Sequence, residues 1–176
     1  FILNLRPPIK TNKMAIKNIT LIASLCLLSL AGVAYCHEKL QIDGTVYCDT
    51  CRTLFETKVS VGVGGAKVKF ECRDRANANN ITFTEHAVCD ENGAYKFEAE
   101  GKHEDEICEV VLVESPRSDC NEVVPGLDRA RVLVSDDNGI TQTDRFVNPM
   151  GFLKKQADAG CAEVLKSYGL LPSAHI

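Results

Sequence analysis

Ala66-Lys67-Val68-Lys69-Phe70-Glu71-Cys72 decides the fold class. Its apolar side chains at 66, 68, 70 and 72 alternate with Lys67, Lys69 and Glu71. A period of two places one set against a core and the other in water, which marks a half-buried antiparallel strand. Gly64-Gly65 permits the positive φ angles of a tight hairpin, and Val59, Val61 and Val63 predict the strand before it. Upstream, Leu40, Ile42, Val46 and Cys48 are spaced to share one face. Downstream, Thr82 to Val88 predicts a strand, Asp90-Glu91-Asn92-Gly93 a turn, and Tyr95, Phe97 and Ala99 resume the alternation. Glu100 to Glu106 is charged and loop-like, and Ile107 to Glu114 suits a strand buried on both faces. Arg131 to Ser135 and Thr141 to Phe146 flank Asp136-Asp137-Asn138-Gly139, a second hairpin signal. Only Phe152 to Tyr168 reads as helix, with Leu153, Ala157, Cys161 and Leu165 at four-residue steps and Gly160 weakening the middle. The expectation is an all-β domain: a single antiparallel sandwich or flattened barrel of about seven strands with a short C-terminal helix.

The 176 residues carry 20 Lys+Arg against 24 Asp+Glu, nine Cys, no Trp and 6% aromatics. An acidic chain with few stacking platforms excludes a nucleic-acid binder. The charge is unevenly placed. Met14-Ala15-Ile16-Lys17 is followed by an apolar run from Ile19 to Leu30 and by the small residues Ala31 to Ala34, which predicts a secretory signal peptide over 14–36. Cleavage falls after Ala34 or Cys36. Residues 1–13 read as translated upstream sequence, and 37–176 as the mature domain. The apolar core is shorter than the about 20 residues of a membrane span, so no membrane anchor is expected after cleavage. Four of the 20 basic residues and none of the acids precede His37, leaving 16 against 24 in the mature domain. Cys26 and Cys36 leave with the leader, so seven cysteines remain for an oxidising compartment.

Cys48-Asp49-Thr50-Cys51 has three readings: structural cysteines with distant partners, a redox pair, or half of a zinc site. The segment after it has no helical period, which weakens the redox reading. No second C-x-x-C or C-x-x-H completes a zinc site, and His37, His86, His103 and His175 are dispersed. No metal and no cofactor are expected. Gly44-Thr45-Val46-Tyr47-Cys48-Asp49-Thr50-Cys51-Arg52 closely resembles the signature of the Ole e I-type pollen proteins, a plant family of pollen allergens and pollen-tube proteins. The likeness continues at Phe70-Glu71-Cys72-Arg73-Asp74, Ile107-Cys108-Glu109, Asp119-Cys120-Asn121-Glu122, Asn148-Pro149-Met150-Gly151-Phe152 and Cys161-Ala162. It implies three disulfides: Cys48 with Cys120, Cys51 with Cys161, and Cys72 with Cys108. Cys89 matches no cysteine of the family and is left unpaired. It serves as a small buried strand residue, or bridges to a second copy, or to Cys36 if cleavage follows Ala34. The family's frequent sequon in the second Asn-Gly hairpin is broken here at Asn138-Gly139-Ile140. Asn80-Ile81-Thr82 offers another, making Asn80 the glycosylation candidate.

No catalytic constellation stands out. Glu104-Asp105-Glu106 and Asp136-Asp137 sit in turn-like segments, Ser115, Ser118 and Ser135 lack a nucleophile-elbow context, and Gly62 to Gly65 has no phosphate-loop continuation. The resemblance implies a secreted, non-enzymatic binding or signalling protein of the extracellular space or cell wall. Its implied roles are in pollen hydration, germination or tube growth, by contact with a receptor-kinase ectodomain or a cell-wall component, and it implies an allergen. Two other classes remain open. A secreted proteinase inhibitor would present Pro116-Arg117-Ser118 to a trypsin-like pocket, and a thiol oxidoreductase would use Cys48 and Cys51.

Overall fold

The computed structural model describes residues 39–101, 103–135, 139–140 and 142–171, within one compact unit, Glu38–Ile176. The expected upstream segment, the leader and the turn residues 136–138 lie outside the described residues. Among the latter, ten strands and one helix follow in order. They are β1 (Leu40–Asp49), β2 (Val61–Gly62), β3 (Lys67–Asp74), β4 (Ile81–Val88), β5 (Ala94–Ala99) and β6 (Glu106–Glu114). Then come β7 (Cys120–Glu122), β8 (Arg129–Val132), β9 (Asp144–Phe146), β10 (Met150–Lys154) and α1 (Cys161–Ser167).

Two sheets form a sandwich. One runs β4-β3-β6-β8 and is antiparallel throughout. The other is organised around β1. The first half of β1 pairs with β5 antiparallel and β9 parallel; its second half pairs with β2 antiparallel and β10 parallel. β7 extends the sheet beyond β10. The alternation in β3 and β5 works as hydropathy dictates. Val68, Phe70 and Cys72 of β3, and Tyr95, Phe97 and Ala99 of β5, are all buried. Phe70 packs across the sandwich on Phe97 at 5.7 Å between ring centroids, and on Phe83 at 5.6 Å. Such aromatic pairs add about 1 kcal/mol beyond the area they bury.

The sequence reading needs five corrections. Two pairings of β1 are parallel, so the sandwich is not purely antiparallel. Gly64-Gly65 does not close a hairpin, because β2 belongs to the sheet of β1 and β3 to the other; the glycines carry the chain between layers. The expected second hairpin fails too, since β8 pairs with β6 in one sheet and β9 with β1 in the other. The turn at residues 90–93 crosses in the same way. There Gly93 has φ 84°, and an added Cβ would stand 2.2 Å from the Val46 carbonyl oxygen, so only glycine fits. Finally, the helix is confined to Cys161–Ser167, with Gly160 just before it, while Met150–Lys154 is a strand. The four-residue spacing from Leu153 was coincidental: Leu153 and Phe152 are both buried, as a strand covered on both faces requires.

Candidate binding site

The structure bonds Cys48 to Cys120, Cys51 to Cys161 and Cys72 to Cys108. The two cysteines of the C-x-x-C thus go to different partners, which removes the redox pair. The bridges close sequence separations of 72, 110 and 36 residues. In the chain-entropy limit each restricts the unfolded state by about 4 kcal/mol or slightly more. Cys89 is the free cysteine among the described residues and is only 5% exposed. Burial, and then the charge of Asp90, push its thiol up to about 11. Its surroundings are those of a small core residue, and a bridge to a second copy would require local opening.

Between the bridged cysteines, Asp49 shapes the turn. It is 1% exposed, yet its carboxylate is saturated. Oδ1 accepts from the Cys51 N–H at 3.1 Å and the Thr53 hydroxyl at 3.3 Å, and Oδ2 accepts from the Leu54 N–H at 2.7 Å. This cradle holds Arg52 and Leu54 at φ 55° and 67°, a region that side chains other than glycine seldom adopt. The Arg52 guanidinium then reaches Glu122 Oε2 at 2.6 Å and the Lys154 carbonyl at 2.5 Å, tying the turn to β7 and β10.

The parallel pairing of β1 with β10 aligns Val46 with Met150, Tyr47 with Gly151, Cys48 with Phe152 and Asp49 with Leu153. Two of the stretches that carry the resemblance, 44–52 and 148–152, are therefore neighbours in one sheet. Gly151 makes room for the Tyr47 ring, since a Cβ there would approach it to 2.6 Å. Both stretches line a cleft of about 280 Å³, whose other wall includes Leu127, Arg129 and Arg131. Burial, then Asp49 and Glu56, push the Tyr47 phenol up to about 12, so it stays neutral at physiological pH.

Behind the arginines lies an ionic network that the sequence concealed. Glu71, read as a solvent-facing residue, is 4% exposed and is the register partner of buried Glu109. Lys69 pairs with Glu71 at 2.6 Å, and Arg73 pairs with Glu71 and, at 3.6 Å, with Glu109. Arg129 and Arg131 each approach Glu109 to 3.4 Å, and Arg129 also holds Asp128 at 3.3 Å. Burial alone would raise the Glu71 carboxyl, but the Lys69 and Arg73 cations outweigh it and lower it. Four cations face three carboxylates here, and two of those cations, Arg129 and Arg131, line the cleft together with Asp49.

Asn80 is exposed just before β4, with its N–H donated to the Asn77 carbonyl and the Thr82 hydroxyl donated to the Cys72 carbonyl. The inhibitor loop has the wrong geometry. The Arg117 carbonyl accepts from the Cys120 N–H in a tight turn, and its guanidinium is held by both Asp119 oxygens at 2.9 and 3.2 Å. An extended loop with a free arginine is not offered. Arg145, unremarked in the sequence, is 5% exposed and donates to the carbonyls of Leu133, Gln142 and Asp144.

A two-layer β scaffold held by three disulfides, with a cleft at its signature segments, defines a class of small bridged β-sandwich proteins. Residues 38–169 match the family described as "Pollen protein Ole e 1 like", and the chain belongs to that family. It is 46% identical to the anther-specific protein LAT52 of Solanum lycopersicum, over 89% of this chain and 97% of that one. It is 44% identical to the pollen allergen Che a 1 of Chenopodium album, over 85% of this chain and 91% of the relative. The crystal structure of the major plantain pollen allergen Pla l 1 superposes with a TM-score of 0.62 at 30% identity. That match covers 70% of this chain and 99% of the allergen. The chain is a disulfide-bonded, β-rich member of a family of pollen proteins and allergens. Among the described residues, no helix is long and apolar enough to cross a membrane.

Proposed function

We propose that this chain is a secreted, non-enzymatic pollen protein that acts by binding, in hydration, germination or tube growth, and that it is an allergen. One observation carries the reading: the two signature stretches, about 100 residues apart in sequence, line the same cleft with the basic residues Arg129 and Arg131. The partner is a receptor-kinase ectodomain or cell-wall component that offers an acidic group to this wall and an apolar one to Leu127. Residues 14–36 serve as the export signal, and Asn80 carries a glycan at the exposed entry to β4.

The experiment is capture from pollen-tube and pistil extracellular fractions by immobilised secreted protein, comparing wild type with the double variant Leu127→Asp/Arg131→Glu. Both residues are exposed, but Arg131→Glu sets a carboxylate beside buried Glu109, so circular dichroism and a thermal melt of the variant first establish that it keeps the wild-type fold. Partners captured by wild type and lost from the variant support the proposal. Equal capture by both places binding elsewhere. Intact mass of the secreted protein reads the leader cleavage and the Asn80 glycan, the latter vanishing in Asn80→Gln.

A further inference from the structure

β8 is an edge strand: it pairs with β6 and, among the described residues, with no strand on its other side. Its register sets Arg129 opposite Val111, Ala130 opposite Val110 and Arg131 opposite Glu109. One step further along, the Leu112 N–H donates to the opposed Asp128 carbonyl at 2.8 Å. In an antiparallel ladder, directly opposed residues exchange hydrogen bonds at every second pair. Ala130 and Val132 therefore turn their N–H and C=O groups toward β6, and Arg129 and Arg131 turn theirs away from it. The next outward carbonyl, that of Leu133, accepts from Arg145 Nε at 3.1 Å. Among the described residues, no turn, loop or side chain bonds the main-chain groups of Arg129 or Arg131 in that way.

This open edge faces the cleft. Arg129, Ala130 and Arg131 all line it. Neighbours on a strand point to opposite faces, so three in succession mean that the cleft meets β8 along its edge. Asn148 to Gly151 line it too, ahead of Leu153 and Lys154, where β7 joins β10. We propose that the cleft receives its partner as an extended peptide strand, added to β8 along Arg129–Arg131 and carrying acidic side chains at alternate positions. This rests on reading the cleft as the binding site of the protein.

The chemistry of the added strand follows from the two sides of β8. Arg129 and Arg131 stand on one side, and Arg131 is largely exposed, approaching Glu109 at 3.4 Å. Ala130, on the other side, packs against the core. A strand laid alongside repeats that alternation, with carboxylates beside the arginines and apolar side chains beside Ala130. Main-chain hydrogen bonds supply its affinity, and the alternate side chains select its sequence. A second copy of this chain does not fit. Antiparallel pairing of two β8 edges about Ala130 would set Arg129 of each copy against Arg131 of the other, with like charges opposed.

The test titrates the oxidised secreted chain by calorimetry with a short synthetic peptide that alternates valine and glutamate. The same peptide with lysine for glutamate should bind at least about tenfold more weakly. Arg131→Ala and Arg131→Pro both remove the guanidinium and leave Glu109 with Arg73 and Arg129. Only Arg131→Pro also removes an outward N–H, which an edge strand tolerates. It should bind the acidic peptide about tenfold more weakly than Arg131→Ala. Amide exchange of the wild type needs no variant, and decides if Arg131→Pro does not fold. With saturating peptide, the Arg129 and Arg131 protons should slow at least about tenfold, and the Ala130 proton, already bonded to β6, should change less. Failure of the acidic peptide to bind wild type overturns the proposal. So does equal binding of the lysine peptide, equal binding by folded Arg131→Ala and Arg131→Pro, or unchanged exchange at Arg129 and Arg131. The strand and the cleft can fail separately. Partners lost from Leu127→Asp/Arg131→Glu, with no peptide bound by wild type, remove the strand and keep the cleft. Peptide binding as described, with equal capture by that variant, keeps the strand and removes the role of the cleft in pollen.

Discussion

Replacing Asp49 by Ala removes one buried carboxylate and strands the groups it collects. The Cys51 N–H is enclosed, and losing its acceptor costs about 1–3 kcal/mol. The Leu54 N–H, on an exposed residue, finds water and costs less. Arg52 and Leu54 keep their positive φ angles, held by the Cys51–Cys161 bond, so that strain is common to wild type and variant and adds nothing to the difference. The sum is about 2 kcal/mol, or about 7 °C in Tm for a domain of this size. Asp49→Asn keeps an acceptor oxygen and should lose about half as much. Calorimetry of the oxidised proteins reads the loss, and amide exchange places it, with the Cys51 and Leu54 protons exchanging faster. If Asp49→Ala melts within about 1 °C of wild type and those two amides keep their protection, the carboxylate does not shape the turn and the reasoning is wrong.

Cys89 should resist iodoacetamide at about pH 8 in the folded protein and take one label after denaturation, because burial raises its thiol to about 11; native labelling at the rate of a free thiol would contradict its placement. The depressed Glu71 carboxyl contributes stability that is fully present above its unfolded value of 4.5 and is lost as pH falls through its lower folded value. Tm should therefore drop on the acid side of about pH 4.5, and Glu71→Gln should cost about 3 kcal/mol at neutral pH while flattening that acid limb. The Tyr95 hydroxyl is buried with no hydrogen-bond partner among the described residues. Tyr95→Phe should consequently be neutral or stabilising by about 1 kcal/mol, as thermal melts would show.

The strands whose two faces differ were legible: β3 and β5 alternate because one face is core. β9 inverts the rule. Phe146 is 79% exposed while Arg145 points inward, since three carbonyls repay the burial of its guanidinium and no hydropathy pattern announces them. β10 was hidden because a short apolar stretch buried on both faces has no period of its own. Which strands pair is a long-range property, and nothing near Gly64 reveals that the chain leaves one layer there. At the site, the signature segments were visible and their adjacency was not. Asp49 had a cue, a carboxylate placed two residues before a turn cysteine. The Glu71–Glu109 network had none, because alternation assigns every polar residue of a strand to water.

Of the described strands, β1 is the first to be made and the last to be completed. Its parallel partners β9 and β10 belong to the final third of the chain, as does Cys161, which closes the longest bridge. At a synthesis rate of about 5–20 residues per second, the N-terminal strand waits several seconds or more for neighbours that do not yet exist. Meanwhile the β3–β6 ladder, whose cysteines are 36 residues apart, can already zip. The architecture therefore imposes an assembly order, with the all-antiparallel layer maturing early and the layer around β1 sealing only when the tail arrives.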